Sequence, residues 1–335
     1  MTTDRGTAEA PLPTLPHHGS RQVPPILRDY GTVVLLAALV VIFSLTTSVF
    51  LTQSNIKSIL IVQTVTLCVT LGVMFPLLVG EFDLSAGYLI GFVCMVGAYL
   101  GQQGQGAAVV ILAMLATGVA VGVINGLLTV KVRISSFIAT LGTGIILQGL
   151  TQGLSGGSVL DIGIPRLVVT LGRGNAGGLS VSVWVTLGLA VVLFYLLEQT
   201  PTGRAFYAIG GSERVAFLAG IRTNGLKVLA FSVSGLMVAI GAIFALGQNG
   251  SASPSYGPDL LLPAYAAAFL GVTTYRGGYY NVVGSVVGIL LLATGFDGLS
   301  LWGVPYWVQP VFNGAVLLVA VMIARAETRQ VRVGA

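Results

Sequence analysis

The sequence predicts an all-α, polytopic membrane protein of about ten transmembrane helices. Three observations carry the prediction: 55% of the 335 residues are hydrophobic, only 8% are charged, and the charges are bunched between long apolar runs. A soluble domain carries roughly 25% charged residues, because its surface must be covered with groups that water solvates. A water-soluble fold is therefore excluded.

Uncharged runs cover residues 30–56, 58–80, 84–130, 134–160, 174–197, 228–258, 260–275, 277–296 and 298–324. Crossing a hydrocarbon core of about 30 Å takes roughly 20 helical residues, so eight runs fit one helix each and 84–130 fits two. The break within that run is legible at Gly101-Gln-Gln-Gly-Gln-Gly106, and run 260–275 is the shortest. Membrane strands need alternating polarity over about ten residues, whereas these runs are apolar on every side. Helices satisfy their own backbone in lipid.

Residues 1–29 are Pro-rich, hold His17 and His18, and carry mixed charges before the first apolar run. They read as a disordered cytoplasmic tail and not as a signal peptide. With that tail inside, ten spans bring residues 326–335 back to the cytoplasm. Thirteen of the sixteen Lys and Arg then fall on the inner side, and only Lys57, Arg166 and Arg173 fall outside. This positive-inside bias turns the formal +5 into a topology signal.

Two segments between spans stand out. The outer one, residues 155–180, contains Pro165 and a glycine-rich stretch, and reads as an irregular surface loop. The inner one, residues 198–227, holds a short helix in its middle. Gly210-Gly211-Ser212 supplies a turn and an N-cap, Glu213 suits the first turn, Val215 to Ala219 is apolar, and Gly220 closes the end.

The chemistry the chain lacks is informative. Its histidines lie in the tail, Cys68 and Cys94 lie in apolar runs, and none of its three lysines follows a glycine, so a P-loop is absent. No disulfide framework or thiolate metal site is suggested. Proton-coupled carriers keep titratable groups at membrane depth. Here the candidates reduce to Glu81 and Asp83 at the inner end of the second span and Asp297 toward the outer end of the ninth. Such a chain reads as the passive half of a machine powered elsewhere, with an ion-coupled carrier as the alternative.

Polar uncharged side chains do enter the spans, among them Thr64, Asn125, Gln148, Ser234 and Gln309. They either line a hydrated path or hydrogen-bond between helices. Gly118, Gly122 and Gly126 repeat at every fourth position, as do Gly284 and Gly288, which gives smooth faces for close helix packing. Trp302, Tyr306 and Trp307, and Tyr275, Tyr279 and Tyr280, fit interfacial aromatic belts.

Four ordered motifs resemble the monosaccharide permeases of ATP-binding-cassette importers of the ribose, xylose and galactose type. Gly80-Glu-Phe-Asp-Leu-Ser-Ala-Gly87 resembles the family's Gly-x-x-Asp-Leu-Ser-x-Gly signature. Gly122 to Val130 with Ser136 to Thr143 looks like its fourth and fifth spans. Gly203 to Ile221 resembles its large cytoplasmic loop, and Arg276-Gly-Gly through Gly288 its penultimate span. Glu81 stands where relatives usually have a small residue, and Asp297 where they often have asparagine.

The resemblance implies the larger, vitamin-B12-type importer architecture over residues 30–325, in the bacterial inner membrane. It implies a partner ATPase that binds ATP and magnesium, an extracytoplasmic solute-binding protein and a second permease subunit, with no cofactor in this chain and no enzyme activity. Coupling to the ATPase falls on Gly211, Ser212, Glu213, Arg214, Ala219 and Gly220. Asp83, Ser85, Gly87, Asn125, Gln148 and Asp297 become candidates for the signature site or pathway. Asp83 by itself also reads as the N-cap of the third span. Branched-chain amino acids or nucleosides are the alternative cargo.

Overall fold

The computed structural model describes residues 31–274 and 278–333, the last eleven as backbone only. The N-terminal tail, Tyr275 and Arg276 lie outside the described residues, as do the side chains of the C-terminal tail.

The apolar runs become helices in the expected order. They are α1 (Gly31–Thr46), α2 (Gln53–Leu78), α3 (Ala86–Gln102), α4 (Ala107–Val130) and α5 (Ser136–Ser155) in the first half. The second half holds α6 (Arg166–Arg173), α7 (Val181–Gln199), α8 (Pro201–Gly211), α9 (Glu213–Leu218), α10 (Thr223–Asn249), α11 (Leu261–Gly271), α12 (Val282–Leu301) and α13 (Val308–Val333). Among the described residues six of these, α2, α4, α5, α7, α10 and α12, are long and apolar enough to cross a membrane. The apolar segments at α1, α3, Pro258–Gly271 and Val308–Met322 are shorter.

Helices α2 and α10 form the centre of the bundle, and most of their inward halves are fully buried. Glycine sets how closely their neighbours approach. A Cβ on Gly118 would stand 2.3 Å from the Gly235 carbonyl, and one on Gly122 2.3 Å from the Phe231 carbonyl, so α4 lies backbone to backbone on α10. The second glycine stripe works alike. A Cβ on Gly284 would stand 2.1 Å from the Gly271 carbonyl and one on Gly288 2.4 Å from that of Ala267, which seats α12 on α11. In an apolar solvent such contact replaces the hydrophobic drive that water supplies elsewhere.

One expectation needs correction and another is extended. Segment 155–180 is not an irregular loop: it carries α6 and a small antiparallel hairpin, Asn175–Ala176 with Leu179–Ser180. Pro165 is the N-cap of α6, Val168 is buried, and Gly172 meets Gly247 of α10 so tightly that a Cβ there would touch backbone at 2.5 Å. Segment 198–227 holds the expected short helix, α9, and a further one, α8, before it. Thr200 caps α8 by accepting from the Gly203 N–H, and Pro201 takes the first helical position, where its missing N–H costs nothing.

Candidate functional site

The Gly80–Gly87 motif is hydrogen-bonded to α4, α5, α10 and α11. Gly80, at φ +78°, ends α2 in a Schellman turn: its N–H donates to the Leu77 carbonyl and the Glu81 N–H to that of Pro76. The chain then runs without helical hydrogen bonds as far as Ser85. Irregular backbone inside a membrane protein is tolerated only where protein groups satisfy it. Here they do. The Phe82 N–H donates to Ser136 Oγ at 3.1 Å, the Asp83 N–H to Tyr265 Oη at 2.9 Å, and the Leu84 N–H to Thr140 Oγ1 at 3.0 Å. Ser136 and Thr140 lie four apart at the start of α5, so one helix face meets alternate N–H groups of the extended chain.

Asp83 is the centre of the cluster. Its Oδ1 accepts from the Ser85 N–H and, at 2.6 Å, from Ser85 Oγ; its Oδ2 accepts from Ser234 Oγ of α10 at 2.7 Å. Ser85 Oγ in turn accepts from Asn125 Nδ2 of α4 at 2.8 Å. The Asn125 Oδ1 is buried and has no hydrogen-bond partner among the described residues. Ser85 holds the N-cap position of α3 without a side-chain capping bond; Asp83, two residues earlier, accepts from the Ser85 N–H at the opening of the helix with Oδ1, as a cap does, while Oδ2 joins α10 to the motif. Gly87 is needed for close approach, since a Cβ there would meet Leu261 Cβ at 3.0 Å.

A second polar group adjoins the first. Lys227 Nζ of α10 stands 2.8 Å from Glu81 Oε1 and 2.8 Å from Glu213 Oε2. Glu213 opens α9, whose Ser212 N-cap accepts from the Val215 N–H and whose chain leaves through Gly220 at φ +84°. Only Ala216 of α9 is buried; Val215, Phe217 and Leu218 are 64%, 66% and 76% exposed. Glu213, Arg214, Phe217, Thr223 and Asn224 border an open cleft of about 460 Å³ beside it. Gly211 meets nothing, whereas a Cβ on Gly210 would stand 2.3 Å from the Leu78 carbonyl at the end of α2. The glycine that close packing requires is therefore Gly210. Ala219 and Arg214 are exposed on the same surface.

The remaining candidates stand apart. Gln148 is half-buried on α5, beyond the Ser136–Thr140 face. Asp297 accepts from Asn55 Nδ2 at 2.7 Å, tying α12 to the start of α2. Lys227, Ser234, Tyr265 and Thr140 are the residues sequence reasoning missed as parts of the site. Lys227 carried a signal only as a loop cation, and Ser234 only as one polar residue in a span.

The family model described as "Branched-chain amino acid transport system / permease component" matches residues 55–321. The chain belongs to that family. Among similar proteins, the ribose import permease protein RbsC of Escherichia coli K12 is 32% identical over 300 residues, covering 89% of this chain and 94% of its own length. The L-arabinose ABC transporter permease protein AraH of Azospirillum brasilense is 30% identical, covering 92% and 90% respectively. The D-allose transport system permease protein AlsC of E. coli K12 is 32% identical, covering 88% and 91%. This permease is thus a multi-pass membrane protein of the transport class, and the signature motif and the 203–221 segment lie inside the matched region.

Proposed function

We propose that this permease is the membrane subunit of an ABC importer that carries a monosaccharide into the cell by alternating access. The observation that supports it most directly is α9: a capped helix at the end of the bundle that displays Val215, Phe217 and Leu218 beside a cleft. An exposed apolar helix next to charged residues suits a protein groove, which the ATPase subunit provides. The relatives named for ribose, L-arabinose and D-allose supply the cargo class.

In this reading all ten apolar segments cross the inner membrane, both termini are cytoplasmic, and the larger vitamin-B12-type architecture applies. Two permease subunits form the path between them, a binding protein delivers the sugar from outside, and ATP and magnesium stay on the ATPase. Cargo choice lies mainly in the binding protein, because a tight site within the path would hold its cargo and shift no equilibrium.

The test is uptake into proteoliposomes that hold the permease, its ATPase and its binding protein. ATP-dependent entry of labelled ribose or another monosaccharide is the expected result. The family description favours one competitor, so leucine and valine belong in the panel. Uptake of those amino acids alone would replace the sugar reading, and ATP-independent uptake by the permease alone would replace the importer reading.

A further inference from the structure

We propose that Lys227 is a positioning residue that delivers displacement of α9 to the Gly80–Ser85 stretch, and so ties ATPase docking to the state of the Asp83 cluster. This rests on the reading that α9 docks the ATPase.

Three segments distant in sequence meet at this cation. Its ammonium has three donors, and two are directed at carboxylates 2.8 Å away, the range of charge-assisted bonds. The two contacts differ in environment. The side chains of Lys227 and Glu81 are 11% and 17% exposed, whereas Glu213 is 49% exposed. Water competes for the Glu213 end and little for the Glu81 end, so Lys227 stays with Glu81 when α9 shifts.

The Glu81 end is stiff. Its N–H is held by the Pro76 carbonyl at the end of α2, and the next two N–H groups are held by Ser136 and Tyr265. A pull on the Glu81 carboxylate therefore acts on the whole stretch and not on a free loop.

Helix α10 touches the same stretch twice. Lys227 and Ser234 are seven residues apart, two turns along one face, which separates them by roughly 10 Å. Glu81 and Asp83 are two apart in extended chain, roughly 7 Å, and the long lysine side chain makes up the difference. Lys227 to Glu81 and Ser234 to Asp83 thus form two cross-links between α10 and the motif. Glu213 attaches α9 to the Lys227–Glu81 cross-link. Among the described residues, Glu213 is the ion-paired residue of α9, and with only Ala216 buried the helix has little apolar anchorage of its own. Movement of α9 is then read by the motif through the lysine.

The test uses the complete importer in proteoliposomes, with sugar uptake and ATP hydrolysis measured in the same vesicles. In Lys227→Met, ATP hydrolysed per sugar imported should rise at least about fivefold, the lower range of coupling between sites. Lys227→Arg should keep most of the wild-type ratio, and the triple exchange Glu81→Lys, Lys227→Glu, Glu213→Lys should restore part of it. A merely structural lysine would lower both rates together and leave the ratio unmoved. Should Lys227→Met fail to insert, Glu213→Gln decides, because that side chain is half exposed: a raised ratio supports the linkage. A wild-type ratio in every variant that inserts overturns it. If wild-type vesicles import no sugar, the importer reading fails first and the linkage falls with it.

Discussion

The Lys227 ammonium lies 2.8 Å from the carboxylates of both Glu81 and Glu213, so one cation holds the motif after α2, the start of α10 and the short helix α9 together. The two carboxylates are unequally buried, and their stabilities should differ accordingly. Glu213→Gln should cost less than about 1 kcal/mol, the range of exposed pairs, and the cost should shrink further in high salt. Glu81→Gln should cost about 1–3 kcal/mol, because it weakens a partner of a nearly buried ammonium. Thermal unfolding midpoints in detergent, at low and high salt, check the order.

Tyr265 offers a one-atom probe of the motif. Its Oη accepts from the Asp83 N–H, while its ring lies 6.1 Å from that of Phe82. Tyr265→Phe keeps the ring and orphans a buried N–H, so it should destabilise by about 1–3 kcal/mol and slow transport. Thermal unfolding and uptake, measured on the same preparation, test this; an unchanged melting point would show that another group can accept from Asp83.

Two glycine-to-alanine changes should act oppositely. Gly122→Ala drives a methyl against the Phe231 carbonyl at 2.3 Å, and rigid helix backbone cannot yield, so a loss of about 1–3 kcal/mol is expected. Gly188→Ala on α7 meets nothing within 4 Å and should be neutral or stabilising by up to about 1 kcal/mol, through helix propensity alone. Comparing the two melting points separates packing from propensity.

The cap of α9 should matter to docking. Ser212→Ala removes the acceptor for the Val215 N–H, typically about 1 kcal/mol of helix stability. Fraying of so short a helix lowers the fraction ready to bind, so affinity for the ATPase should fall by up to about fivefold, the equivalent of that energy. Titration of ATPase onto detergent-solubilised permease measures it; Ser212→Asp, a good capping residue, should restore binding.

Much of the helical order was legible because composition fixes it. The break at Gly101–Gly106, the glycine faces of α4 and α12, and the capped helix opening at Glu213 all follow from local residue types. Other features were legible yet passed over: Thr200-Pro201 is a helix start in plain view, and Pro165 announces α6. The partners of Asp83 were of a third kind. Ser234 lies 151 residues away and Tyr265 donates nothing to a pattern in one sequence, since a long-range hydrogen bond leaves no periodicity behind. The same holds for Lys227, which the charge pattern marks only by side.

The stretch from Phe82 to Leu84 owns no helical or sheet hydrogen bonds; its N–H groups are held by hydroxyls of Ser136, Thr140 and Tyr265. Hydroxyls turn on single bonds, at far lower cost than unwinding a helical turn. Bonds of this kind follow the stretch as it moves, so a displacement of it is shared with α5 and α11, which supply the hydroxyls, and is not lost in a local rearrangement. In a bundle otherwise locked by backbone contact at glycine, that makes the stretch a rigid link between helices that do not touch backbone to backbone through it.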